Sequence, residues 1–224
     1  MPFSLSPSSI NLFLECPRCF WLAHTKNIKR PAGIFPSLPS GMDRVLKEHF
    51  DRFAVAGKMP PELLSLQKEF PLTKLFDDFT LLNAWRNNWK GISIKDKKEN
   101  TLKGAIDNLL INENQELTIL DYKTRGYPLK EDTHEHYQNQ LDTYNYLLQE
   151  NNFKTTKHSY LLFYHPKTVL SSGEVEFNSN LIKMPVNPNN AKKNFEKAIK
   201  CLNTEKMPET KKDCEYCKIV DLHV

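Results

Sequence analysis

The sequence predicts a mixed α/β fold, a central mixed β-sheet flanked by helices. Three observations predict it. Apolar residues recur at helical spacing through the first ninety positions. From Gly91 they fall into short strand-like runs separated by polar turns. Helical spacing then returns near residue 133 and alternates with further strand-like runs. A length of 224 residues suits one domain, taken as 1–224, with 1–30 and 205–224 forming a cysteine-rich closure.

Taken in order, Ser6 reads as an N-cap, with Pro7 in the first turn and Ile10, Phe13 and Leu14 on one face. Pro17, after Cys16, restarts a second helix through Phe20, Trp21 and Leu22. Three prolines and two glycines mark residues 30–41 as a loop. A helix over about 40–56 carries Val45, Leu46, Phe50 and Phe53 at helical spacing, and another is predicted over 73–89. Strands follow around Ile92 and Ile94, then over 102–111 and 117–123. A long helix spans about 133–150, two strands cover 159–164 and 174–184, and a last helix runs over 190–202.

Composition narrows the function classes. Hydrophobic residues make up 39% and include thirteen Phe, eight Tyr and three Trp, which excludes wholesale disorder. No run approaches about 18 apolar residues, so no membrane-spanning helix is expected. The N-terminal residues lack the features of a secretory signal, which points to the cytoplasm. Thirty-one basic against twenty-seven acidic residues give a net charge of +4, which permits a polyanionic partner without demanding one. An odd cysteine count of five argues against a disulfide framework.

The run Leu117–Lys123 is apolar on both faces until it reaches Asp121. Such a strand belongs inside a sheet, where an unpaired carboxylate costs several kcal/mol. Asp121 and Lys123 are two apart and share a face. If Asn112 to Glu116 form a five-residue turn, Ile111 opposes Leu117, Leu109 opposes Ile119, and Asp107 opposes Asp121. Two facing carboxylates repel unless a divalent cation lies between them or one holds a proton. An Asp–Lys pair at a strand end can also be purely structural. His49 lies in the apolar stripe of the 40–56 helix, a position more often filled by a satisfied core residue than by a ligand. Gln140 and Tyr144 share a face of the 133–150 helix.

Together, His49, Gly104-Ala105-Ile106-Asp107, Asp121-Tyr122-Lys123-Thr124 and Gln140-Leu141-Asp142-Thr143-Tyr144 resemble the ordered motifs of the PD-(D/E)XK nuclease superfamily. Within it, the resemblance is to the RecB/AddB nuclease branch and the CRISPR-associated adaptation exonucleases; Ser6-Pro7-Ser8-Ser9 leading to Cys16-Pro17 is similar to the start of that branch. The resemblance implies a restriction-endonuclease-like core and a metal-dependent DNA exonuclease acting on ends or single strands. Its setting would be DNA repair, recombination or CRISPR adaptation, with a helicase or related proteins as partners. It also implies that Asp107, Asp121, the Tyr122 carbonyl and His49 bind Mg²⁺ or Mn²⁺. Lys123 would serve the attacking water, and Gln140 and Tyr144 would position the lysine or the DNA. The rival reading is a non-catalytic nucleic-acid-binding accessory module on the same fold.

Cys16/Cys19 and Cys214/Cys217 form two C-x-x-C pairs, which suggests a four-thiolate site. The branch often closes with a [4Fe–4S] cluster, so the resemblance implies a cluster, with Zn²⁺ as the alternative; spacing alone does not separate them. His223 is a substitute ligand in a second arrangement that omits Cys19. Trp85 and Trp89, four apart, are better explained by packing than by stacking on bases. Lysines 95, 97, 98 and 103 fit a solvated face and a phosphate track equally well.

Overall fold

A computed structural model describes residues 2–33 and 37–221, excluding the side chains of 219–221. After β1 (Ser4–Leu5), α1 (Pro7–Glu15) starts where the Ser6 side chain accepts the Ser9 N–H. Pro17 begins α2 (Pro17–Thr25), with Cys16 in extended backbone between the two helices. Next come α3 (Ser37–Val55), a short turn and α4 (Leu64–Glu69), β2 (Lys74–Leu75) and α5 (Phe79–Arg86). Four strands follow: β3 (Ile92–Lys95), β4 (Thr101–Gly104), β5 (Asn108–Ile111) and β6 (Leu117–Thr124). The remainder comprises α6 (Gln138–Glu150), β7 (His158–Val169), β8 (Val175–Pro185), α7 (Pro188–Leu202) and α8 (Glu215–Asp221).

Five strands form the main sheet in the order β2-β5-β6-β7-β8, and β1-β4-β3 form a smaller one. The β6–β7 pair is parallel, with α6 as the crossover, while the other pairs of the main sheet are antiparallel. This is the mixed α/β architecture expected. Alternate residues of the central strands feed two cores. Leu109, Ile119, Leu161 and Phe163 pack with α5, α6 and α7; Leu110, Leu120, Tyr122 and Leu162 pack against α3. With both faces covered, β6 needs apolar side chains on both.

Three expectations change. The 30–41 loop is shorter, because α3 already begins at Ser37. The 73–89 helix is shorter, because β2 occupies its start and Asp78 caps α5 by accepting the Leu81 N–H. The 102–111 strand is two strands, since β4 and β5 belong to different sheets and 105–107 bridge them. The hairpin register is as read: Ile111 pairs with Leu117 and Asn108 with Leu120, with Asp107 and Asp121 one step further. Asn112 fixes the turn by accepting the N–H groups of Asn114 and Glu116 through Oδ1. Among the described residues no helix is long and apolar enough to cross a membrane.

Candidate active site

Period-two geometry puts Asp121 and Lys123 on the α6 face of β6, where they form an ion pair. Asp121 is 1% exposed. Its Oδ1 accepts from Gln140 Nε2 at 3.1 Å; Oδ2 meets Lys123 and has no further hydrogen-bond partner among the described residues. Gln140 Nε2 also lies 2.8 Å from the Tyr144 hydroxyl, to which it donates. The structure therefore joins Asp121, Lys123, Gln140 and Tyr144 in one network. Gly104 permits the close approach of Tyr144, because a Cβ there would lie 2.6 Å from its ring.

Asp107 sits at the break between the sheets. Its Oδ2 accepts the Tyr122 N–H at 3.1 Å. Burial, then the Asp107 carboxylate, pushes Asp121 up to about 7 against the pull of Lys123. Burial would lower Lys123, but the two carboxylates outweigh it and raise its pKa. The Lys123 ammonium also lies 4.8 Å from the centre of the Tyr137 ring.

His49 is not brought to these acids. Its Nε2 lies 3.3 Å from Glu62, and its ring packs edge-on against Phe50 and Phe53. The α3 side chain that reaches Asp107 is Lys47, 3.1 Å from Oδ1 and 2.8 Å from Asp43. Two residues along a helix turn the side chain through about 200°, so positions 47 and 49 face nearly opposite ways. Sequence reading missed Lys47, Asp43 and Arg86. Arg86 donates to the Asp107 carbonyl at 2.8 Å and grips Asp51 with both terminal nitrogens. The i,i+4 pairing of Asp43 with Lys47 was visible in the sequence, but it resembles any solvated helix pair.

The four cysteines converge where α1 and α2 meet α8. Sγ–Sγ separations are 3.7 Å for Cys16–Cys217 and 3.5 Å for both Cys19–Cys214 and Cys19–Cys217. All four sulfurs lie within 4.8 Å of one another, the only such group of three or more Cys, His, Asp or Glu ligands among the described residues. Burial opposes ionisation of Cys16, yet hydrogen bonds from the Lys211 and Cys19 backbones bring it down to about 6. Burial pushes Cys19 up to about 12, with its sulfur neighbours adding to the rise and Arg30 opposing it. Arg30 directs a nitrogen at Cys214 Sγ, 3.8 Å away, and stacks over Tyr216. His223 lies outside the described residues.

The sequence profile of the PD-(D/E)XK nuclease superfamily matches residues 43–222. The chain belongs to that superfamily. The match spans Asp43, both buried-site acids, Lys123, Gln140 and Tyr144, together with the second C-x-x-C pair. PD-(D/E)XK proteins are usually metal-dependent nucleases, so the chain's membership suggests a nuclease and a nucleic-acid partner. A search of the curated proteins finds no match. A solved structure titled "Crystal structure of SSO0001" aligns with 99% of this chain and 86% of its own, at 16% identity and a TM-score of 0.46. That degree of likeness carries no functional argument.

Proposed function

We propose that the chain is a divalent-metal-dependent DNA exonuclease acting on ends or single strands. The observation that carries this reading is a fully buried Asp121 beside Asp107, ion-paired with Lys123 and hydrogen-bonded by Gln140. A buried carboxylate oxygen with only a lysine against it, facing a second acid, suits a hard cation better than it suits a core. Asp107, Asp121 and the Tyr122 carbonyl would hold Mg²⁺ or Mn²⁺; His49, engaged by Glu62, is left out. When bound, the cation supplies Lewis-acid polarisation of a phosphate oxygen and makes water more acidic. Lys123 orients the attacking water and offsets charge building on the phosphoryl oxygens. Gln140 holds Asp121 in place and is itself aligned by Tyr144. Asp43 and Arg86 act at one remove, through Lys47 and the Asp107 backbone.

From the motif order we assign the chain to the RecB/AddB-like branch. Its work would then be DNA processing in repair, recombination or CRISPR adaptation, beside a helicase or related proteins. We read residues 1–224 as one nuclease domain in which the cysteine quartet ties the 1–30 segment to 205–224. The sulfur spacing supports Zn²⁺ over [4Fe–4S]. A tetrahedron with bonds of about 2.3 Å has edges of roughly 3.8 Å, whereas a cubane cluster spreads its thiolates further apart. Metal analysis should find one zinc per chain; a brown, iron-containing protein would reverse that assignment.

The nuclease reading is tested on end-labelled single- and double-stranded DNA in EDTA, Mg²⁺ or Mn²⁺, with wild type beside Asp121→Asn. Cleavage should require both the cation and Asp121. Wild-type rates from the variant would sink this site; intact DNA under every metal, from folded protein with its quartet filled, would favour the binding module.

A further inference from the structure

A cleft of about 370 Å³ opens beside the acid network and shares Gln140 and Tyr144 with it. One wall is the first turn of α1; the other is the 88–91 turn together with the end of β4. Asn88, Lys90 and Lys103 line it, and no carboxylate does. A larger cleft of about 620 Å³ lies elsewhere and carries Glu69, Glu113 and Glu116, a poor surface for a polyanion. Another basic cleft, lined by His24, Lys29 and Arg30, contains neither Gln140 nor Tyr144, so the cleft of Lys90 and Lys103 is the basic one that adjoins the Asp121 network.

Trp89 stands between two of the lining residues and is 86% exposed. The expected 73–89 helix would have turned it towards Trp85, which is buried and stacked on Phe76. Instead α5 ends at Arg86, and Asn87 Oδ1 accepts the N–H groups of Trp89 and Lys90. The Trp89 carbonyl accepts from Lys103 Nζ at 3.0 Å. A turn anchored at both its start and its carbonyl therefore keeps the indole in solvent, next in sequence to Asn88 and Lys90, which line the cleft. Gly91 follows at φ +56°, where a Cβ would collide with the Gly104 carbonyl, so the turn lies tight on the β4 end. Leaving a tryptophan in water forgoes one of the largest apolar burials a side chain can make. A base face covers it well, and only an unpaired base or a strand end offers one.

We infer that this cleft carries a single DNA strand to or from the scissile phosphate, with Lys90 and Lys103 on phosphates and Trp89 stacked on a base. The inference rests on the nuclease reading and assigns its strand path. Its test is binding rather than cutting. A fluorescently labelled oligodeoxynucleotide is titrated by anisotropy, without added divalent cation, with Trp emission followed in parallel. Trp89→Ala should weaken binding roughly tenfold, within the range for loss of one stacked base, and remove most DNA-induced quenching. The Lys90→Gln, Lys103→Gln double variant should lower the salt slope of log K by about 1.4. Unchanged affinity, slope and quenching in variants of a wild type that still cuts DNA would overturn the strand path alone. Tighter wild-type binding to the matching oligoribonucleotide would overturn the choice of DNA. If wild type neither binds nor cuts DNA, both readings fall.

Discussion

The acid site and the cysteine quartet are both groups of metal-binding side chain types, yet they are built in opposite ways. In the quartet, four sulfurs from two distant segments have already converged to within 4.8 Å. At the acid site, two carboxylates face each other and lysines complete the charge balance: Lys123 on Asp121 and Lys47 on Asp107. The quartet is closed and offers a metal no open position. On the proposed function the acid site is underfilled, and its lysines would exchange a carboxylate for a phosphate. The two sites would then differ as a metal that holds a fold differs from one that meets a substrate.

The sharpest way to break the comparison is to cross the two sites. Cys217→Ser should lower the Tm by roughly 8–16 °C, corresponding to a loss of about 4 kcal/mol, as read by calorimetry. Asp121→Asn should instead leave the Tm within a few degrees and reduce cleavage by at least about a thousandfold. If the cysteine variant melts like wild type, the quartet is no structural centre.

Lys123→Met comes next. A single-turnover cleavage assay should show a loss of roughly 10²–10³, the range for removing one transition-state electrostatic partner. A loss confined to KM would make Lys123 a binding residue only.

A pH series sharpens the comparison further. The pKa of Asp121 is raised to about 7 in the fold. Its contribution to stability is therefore complete below the ordinary carboxylate range and lost as pH rises through about 7. Without added divalent cation, the Tm should fall by about 2–4 °C between pH 6 and 8, roughly 1 kcal/mol. Asp121→Asn should flatten that fall, and Mn²⁺ should abolish it. A fall of equal size in the variant would assign it to other groups.

The smallest effect is expected at His49. His49→Gln should change the cleavage rate less than about twofold, with at most about 1 kcal/mol lost from stability, because its partner is Glu62. A hundredfold loss of cleavage would restore it to the metal shell.

The parts of the site legible in the sequence are those set by local geometry. The period of a strand placed Asp121 with Lys123, the length of a polar turn fixed the hairpin register, and a four-residue helical interval joined Gln140 to Tyr144. What was not legible depends on packing between distant elements. His49 lies in an apolar stripe and stays with it, whereas Lys47 crosses to Asp107, sixty residues away in sequence, from a face that reads as solvated. The overlong 73–89 helix failed for a related reason. Asp78 is an ordinary acid in a helical pattern until its side chain caps a backbone N–H. Trp89 shows the cost of that error, since helical spacing to Trp85 suggested shared burial and the turn after Arg86 separated them.

The quartet also sets a schedule for biosynthesis. Cys19 and Cys214 are 195 residues apart. At translation rates of about 5–20 residues per second, the first pair leaves the ribosome roughly 10–40 s before the second can join it. Through that interval Cys16 and Cys19 are a pair of thiols on a nascent chain, open to oxidants and to passing ions. If the quartet holds the proposed metal, the order in which metal, partner thiols and cellular reductants arrive becomes a determinant of yield, separate from the stability of the finished protein.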